Sequence, residues 1–282
     1  MQDSVGFLYI ATGQEFVQEA IRSAKTVSKN HENIPIGLIT DQHVDHPVFD
    51  DLMMIDSPEY GFEDQILHLK DTPYNLTIYL DSDIYMDGSV RSVFKLLDNF
   101  DIGLVHSHSR EAWPLEDVPE AFPAYNSGVM AYKCNDAFLK FLSLWEDIYY
   151  MQKEADEELR NQPSLRKALY KSNVRIATLY PEYNLLFRYP GHAVKKIKVF
   201  HGRLQPVDSP GAGQYFDVEE AVEVINQTEG HRVFTQLGGI TLHTNKEDSL
   251  LHRARLSYRM HGPKHVVVEG IELLKKKFGN LL

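Results

Sequence analysis

A mostly parallel α/β sheet flanked by helices is the fold class predicted for this chain of 282 residues. Three observations carry that expectation. Through the first hundred residues, short apolar runs of strand length alternate with stretches of helical apolar spacing, the pattern of βαβ units. The run Leu76-Thr77-Ile78-Tyr79-Leu80 is aliphatic, aromatic or β-branched at every position, as suits a strand buried on both faces. It leads straight into Asp81-Ser82-Asp83, placing paired acids where open α/β sheets receive ligands, at the carboxyl edge. In an extended backbone residues i and i+2 point to the same side, so Asp81 and Asp83 can converge on one cation. Asp-x-Asp also caps strands and starts turns; its place after so apolar a strand favours the ligand reading.

The elements follow in order. Val5–Ala11 reads as the first strand, closed by Thr12-Gly13. Phe16, Ala20, Ile21, Ala24 and Val27 then recur at helical spacing, predicting an amphipathic helix over Gln14–Lys29. Ile34–Thr40 is the second strand, followed by Asp41, and Met53–Ile55 a short third. Gln65–Lys70 reads as helix before the strand that carries the acids. Val90–Leu97 reads as helix and Ile102–His106 as strand. Ser107–Pro123, with Trp113 and three prolines, is a loop. Tyr125–Tyr132 begins as a polar turn, Asn126-Ser127-Gly128, that feeds a strand. Phe138–Met151 is an apolar helix; the polar stretch to Asn161 leads through Gln162-Pro163-Ser164 into another. Val174–Leu179 is a strand, and Val194–Phe200 a basic one carrying Lys195, Lys196 and Lys198. A helix is expected over Val218–Asn226 and a basic amphipathic one near the end. The alternation is Rossmann-like, with residues 1–206 as the main domain and 207–282 as a partly helical C-terminal extension.

Composition excludes several functions. The net charge of −11, with no long basic run, argues against general nucleic-acid binding. There is no Gly-x-Gly-x-x-Gly and no Walker loop, which argues against ordinary dinucleotide or ATP binding. The one cysteine, Cys134, forms no internal disulfide and fits a reducing, cytoplasmic setting. No basic n-region opens the chain, and no segment reaches the length of a membrane span.

Six segments, in order over residues 5 to 206, resemble the GT-A nucleotide-sugar glycosyltransferases, closest to the glycogenin-like and bacterial galactosyltransferase-like retaining group. They are Ala11-Thr12 with the helix after it, Tyr79-Leu80-Asp81-Ser82-Asp83, Asn126-Ser127-Gly128-Val129, Asn161-Gln162-Pro163, Leu179-Tyr180-Pro181-Glu182-Tyr183-Asn184, and Phe200-His201-Gly202-Arg203 with Pro206. Each alone is weak; the six in order are specific. The C-terminal quarter matches nothing.

The resemblance implies a metal-dependent hexosyltransferase using a nucleoside-diphosphate sugar, UDP before GDP, with retention. Asp81, Asp83 and His201 would hold the cation, Mn²⁺ or Mg²⁺. Two carboxylate oxygens and an imidazole nitrogen favour Mn²⁺, and the cation would neutralise the departing diphosphate. Arg203, Gly202 and Ser82 would adjoin the diphosphate, with Arg203 ahead of any of the three lysines. Ala11 and Thr12 would lie under base and ribose, with Asp41 a further nucleotide contact by position. Asn126, Ser127 and Gly128 would face the donor sugar; Asn161, Gln162 and Asn184 would surround the reacting carbon and acceptor. His201 and the lysines also read as ordinary strand-end and edge residues.

Two departures from the family pattern stand out. Asn161 replaces the usual acid, so that either no carboxylate is needed there or another, such as Glu182, serves. Gln65 stands where relatives carry Lys or Arg. Rival readings are a silent nucleotide-sugar-binding module and a haloacid-dehalogenase-type phosphatase. The latter needs its Asp-x-Asp on the first strand, which this chain does not provide. The acceptor, whether carbohydrate, protein or lipid-linked, is not legible. Lys275, Lys276 and Lys277, beside Val266, Val267, Ile271, Leu274 and Phe278, suggest either a helix docked on its own domain or weak peripheral contact with an anionic membrane.

Overall fold

The computed structural model describes residues 4–107, 115, 117–155, 160–186, 189, 191–203, 218, 222, 225–226, 230–234, 241–243, 258, 262–263 and 267. Its centre is a seven-stranded sheet ordered β3-β2-β1-β4-β7-β6-β8. These are β1 (Val5–Ile10), β2 (Ile36–Thr40), β3 (Asp51–Met54), β4 (Leu76–Leu80), β6 (Ile102–His106), β7 (Tyr125–Lys133) and β8 (Ile176–Leu179). All neighbours pair in parallel except β7, which runs against both β4 and β6. β1 is bonded to β2 on one side and β4 on the other, so the crevice between their carboxyl ends is the switch point of the sheet.

Helices cover both faces. α1 (Gln14–Asn30) lays Val17, Ala20, Ile21, Ala24 and Val27 on one face, in a core with Phe7, Leu38, Ile78 and Leu80. α3 (Asp136–Ala155) and α4 (Asn161–Lys171) cover the other, joined by the buried indole N–H of Trp145 donating to Ser164 Oγ at 3.0 Å. Trp145, Phe138 and Phe141 are completely buried there; each contributes about 1.5–3 kcal/mol by leaving water. α2 (Phe62–His68) is short and continues as a 3-10 turn, Leu69–Asp71.

A small second sheet, β5-β11-β9, abuts the acid-bearing turn. β5 (Ile84–Met86) follows the acids directly and pairs antiparallel with β11 (Val199–His201), His201 opposite Ile84; β9 (Leu185–Leu186) lies on β11's other side. This sheet brings a residue 118 positions beyond Asp83 back to it. A third sheet, β10-β12-β13, is built from β10 (Gly191–Ala193), β12 (Arg232–Phe234) and β13 (Thr241–His243), so the extension carries strands as well as helix.

Several sequence expectations shift. Asn126-Ser127-Gly128 is no turn but part of β7, Asn126 pairing with Val105 of β6 and the Gly128 carbonyl accepting the Asp81 N–H, with a register shift opposite Leu104/Val105. Only Val199–His201 of the basic segment pairs as strand, because its partners β5 and β9 are three and two residues long. β3 begins two residues earlier than read, and the helix expected over Val90–Leu97 is a 3-10 helix, Arg91–Asp98. Val218, Val222, Ile225 and Asn226 are helical, as is Val267. The rest of the expected terminal helix and its lysines lie outside the described residues. No helix among the described residues is long and apolar enough to cross a membrane.

Candidate active site

Asp81, Asp83 and His201 meet at the carboxyl end of β4. Their ligand atoms lie within 4.8 Å of one another, with His201 Nε2 at 3.2 Å from Asp83 Oδ1 and 3.6 Å from Asp81 Oδ2. Neighbouring ligands of an octahedral cation at about 2.1 Å stand about 3 Å apart, so the spacing needs only a small closure to bind one. Charge points the same way. Three carboxylates, those of Asp81, Asp83 and Glu19, surround one guanidinium, that of Arg203, which reaches Asp83 Oδ2 at 3.7 Å. A divalent cation would cancel the excess. The residues present fit the metal.

Backbone chemistry settles the histidine's tautomer. The Gly128 N–H, a donor that cannot turn round, bonds Asn126 Oδ1 at 3.0 Å. That oxygen also accepts from Asn184 Nδ2 at 2.7 Å, which turns Asn184 Oδ1 to His201 Nδ1 at 3.0 Å. Nδ1 therefore carries a proton, and Nε2 is the nitrogen that faces the carboxylates, where it would lend its lone pair to a cation, the arrangement a metal-binding imidazole requires. Asn126 and Asn184, expected to meet sugar and acceptor, form a chain of hydrogen bonds that ends on His201. Gly128 leaves the room: a Cβ there would stand 2.2 Å from His201 Cε1 and 2.6 Å from Asp81 Oδ2. On the far side, the Tyr79 hydroxyl donates to Asp81 Oδ1 at 2.7 Å. Desolvation, reinforced by Asp83 and opposed chiefly by His201, raises the Asp81 carboxyl above its ordinary range.

Glu19 was not singled out from sequence. It is fully buried on α1, and its Oε2 accepts from Ser82 Oγ at 2.6 Å and Arg203 Nη1 at 2.7 Å. One carboxylate thus joins the turn between the acids to the segment after His201. Gly202 adds a second tie, its N–H bonding Asp83 O at 2.9 Å. The available signal was that Glu19 and Ser23, one helical turn apart, fall inside the stripe α1 buries. Burial, with the Asp83 charge adding and Arg203 opposing, raises Glu19 to about 7. The folded protein therefore holds this proton more tightly than the unfolded chain. The stability it contributes is full below about 4.5, its ordinary value, and is lost as pH rises through about 7. In EDTA, denaturant titrations should show the parent gaining stability from pH 8 to pH 5 relative to Glu19→Gln; parallel pH profiles would refute the assignment.

A second group of contacts forms beyond β1 and β2. Ala11 is buried, and Thr12 Oγ1 donates to Asp64 Oδ2 at 2.7 Å. Asp41 Oδ1 accepts the Gly13 N–H at 2.8 Å, and its Oδ2 accepts from Gln42 Nε2 at 2.6 Å and Tyr60 Oη at 3.0 Å. Asp64 and Tyr60 were missed in the sequence because neither belongs to a motif.

The two departures meet each other. Asn161, the first residue of α4, donates from Nδ2 to Gln65 Oε1 at 2.7 Å and to Ser127 Oγ at 3.1 Å, while Gln65 Nε2 donates to Ser127 O at 3.1 Å. At the two positions of departure this chain buries a neutral amide pair. Alternation along β7 turns Ser127 toward this pair and Asn126 and Gly128 toward His201. Gln162, half-buried, follows on α4. Glu182, the other acid considered, is engaged by the backbone: its Oε1 accepts the Val194 and Lys195 N–H groups at 2.8 and 2.9 Å. Lys196 pairs with Asp87 at 3.1 Å and Lys198 bonds Tyr183 Oη at 3.1 Å, away from the acids.

No protein-family model and no curated protein sequence matches the chain. Solved structures do. The galactosyltransferase LgtC, in complex with donor and acceptor sugar analogs, has TM-score 0.50 and 13% identity, covering 71% of this chain and 87% of that one. An active-site mutant of LgtC gives 0.52 and 13%, with 73% and 92% covered. The apo glycosyltransferase GlyE of Streptococcus pneumoniae TIGR4 gives 0.51 and 14%, with 80% of this chain and 61% of that chain covered. The fold shared with them is GT-A, as the sequence resemblance implied.

Proposed function

We propose that this chain is a metal-dependent glycosyltransferase that moves a hexose from a nucleoside-diphosphate sugar, UDP-linked before GDP-linked, to an acceptor hydroxyl. One observation carries the reading: a cation-sized cluster of Asp81, Asp83 and His201 stands at the switch-point end of a GT-A sheet. The solved LgtC complex, with donor and acceptor sugar analogs, supports a carbohydrate acceptor; protein and lipid-linked acceptors are the alternatives.

When bound, a divalent cation, Mn²⁺ before Mg²⁺ given the imidazole nitrogen, would act as Lewis acid on the diphosphate. The protein's own groups do the rest. Asp81, Asp83 and His201 would hold the cation, with Asn184 fixing the His201 ring so that Nε2 faces it. Arg203, aligned by Glu19, offers its remaining positive edge to the diphosphate. Ser127, Gln65 and Asn161 form a neutral wall suited to sugar hydroxyls. Asn161 is an amide and supplies neither base nor nucleophile. That fits a retaining transfer in which the sugar–oxygen bond breaks, the acceptor oxygen bonds the same face, and the departing phosphate oxygen takes the acceptor's proton.

The test is a panel of UDP- and GDP-sugars with Mn²⁺. Nucleoside diphosphate should be released from one donor or a few, the release stopping in EDTA and rising with the right acceptor. Mn²⁺-dependent binding without turnover would make the chain a silent module, and release of phosphate from monoesters a phosphatase.

A further inference from the structure

We propose that Tyr60 is the seat of the nucleobase, its ring forming a stacking platform held in place before any ligand arrives. The proposal rests on the donor reading above and adds a residue to it. Tyr60 is 66% exposed, yet its position is strongly determined. Its backbone φ is +56°, in the left-handed region that an aromatic residue rarely adopts. Three ties hold it there. Its N–H donates to Asp64 Oδ2 at 3.0 Å, its hydroxyl to Asp41 Oδ2 at 3.0 Å, and the Glu59 N–H before it to Asp64 Oδ1 at 2.8 Å. Asp64 also takes the Thr12 hydroxyl, and Asp41 the Gly13 N–H, so both anchors are fastened to the loop after β1. The ring stands over that loop: a Cβ on Gly13 would lie 4.0 Å from Tyr60 Cδ1.

A surface tyrosine with no task is free to rotate; this one is fixed at both ends with its ring face exposed. Its place in the sheet selects the ligand part it meets. The acid–histidine cluster sits at the ends of β4 and β7, whereas Asp41 directly follows β2 and Tyr60, from the segment between β3 and α2, reaches Asp41 and the loop after β1. The two strand spacings from β4 to β2 amount to about 9.6 Å. A nucleoside diphosphate with its phosphates at the acids would span that distance to set its base beside Tyr60. A base is the flat, apolar-faced part that an aromatic platform takes, whichever base it is.

Calorimetric titration of UDP and GDP, each with Mn²⁺, against the parent, Tyr60→Gly and Tyr60→Phe decides the matter. Glycine accepts φ +56°, so Tyr60→Gly should melt within a few degrees of the parent. It should bind the nucleoside diphosphate about 5- to 150-fold more weakly, the range for loss of one base–aromatic stack. Tyr60→Phe should retain most of the affinity. Mn²⁺ with inorganic pyrophosphate, which has no base, should bind parent and Tyr60→Gly alike. If the parent binds UDP or GDP and Tyr60→Gly binds it equally, or loses pyrophosphate to the same degree, the seat is refuted and the donor reading stands. If the parent binds neither nucleotide, both fall.

Discussion

Asp83→Asn is expected to abolish Mn²⁺-dependent binding of nucleoside diphosphate while leaving the fold intact. The side chain is 7% exposed and ends 3.2 Å from His201 Nε2, so its oxygen is already in ligand position. An amide of the same shape fills the space, and the Asp83 carbonyl still accepts the Gly202 N–H, so β11 stays docked. What disappears is one of the three carboxylates around Arg203. That removal relieves repulsion in the metal-free protein, and its melting temperature should hold or rise slightly. The cation's side of the balance changes sharply, because a neutral oxygen is a poor substitute for a carboxylate against a hard divalent ion. Titration of Mn²⁺ and UDP by calorimetry, with melting curves as the fold control, checks both halves. Parent-like binding by the variant would place the nucleotide site elsewhere.

The parts of the site that could be read in the sequence are those whose signal is local. Leu76–Leu80 declares a buried strand, and two acids two residues apart declare a shared direction, so β4 and its acids were legible from physics alone. His201 lies at the far end of the domain; only the resemblance pointed to it, since no local pattern says that β11 will pair with β5. The polar run Asn126-Ser127-Gly128 was read as a turn, because those residue types satisfy their own backbone in isolation. In the fold Asn126 pairs with Val105 of β6, the Gly128 carbonyl accepts the Asp81 N–H, Asn184 and Asn161 take the Asn126 and Ser127 side chains, and Gln65 bonds the Ser127 carbonyl. Tertiary pairing outweighed local preference. Glu19 was hidden for a related reason: an acid in an amphipathic helix reads as solvated unless its partners are known, and Ser82 and Arg203 are 63 and 184 residues away. The Gln65–Asn161 pair shows the limit of reading departures singly. Each looked like a lost function, yet across a separation of 96 residues they bond to each other.

Gly128→Ala should remove the metal site by a different route, through space rather than charge. A methyl group on β7 would stand 2.2 Å from His201 Cε1, 2.6 Å from Asp81 Oδ2 and 2.9 Å from His201 Nδ1. All three are distances that atoms do not tolerate, and neither neighbour can yield cheaply. Asp81 is tied by its N–H to the Gly128 carbonyl at 2.8 Å and by its carboxylate to Tyr79. His201 is held by Asn184 and by its pairing with Ile84. The least costly response is rotation of the imidazole away from Asp81, which breaks the bond to Asn184 and carries Nε2 out of ligand position. Overpacking of this kind costs about 1–3 kcal/mol of stability. Lost support for a metal-bound histidine costs about 10- to 100-fold in metal affinity, and displacement of the histidine itself should exceed that. The expected result is a protein that still melts cooperatively, a few degrees lower, and binds Mn²⁺ more than about 100-fold more weakly. Gly128→Ala combined with His201→Ala separates the causes. With the ring removed the methyl group has room on that side, so the double variant should regain much of the lost stability and none of the lost affinity. An unchanged Mn²⁺ titration for Gly128→Ala alone would show that the cation is held without His201 against β7.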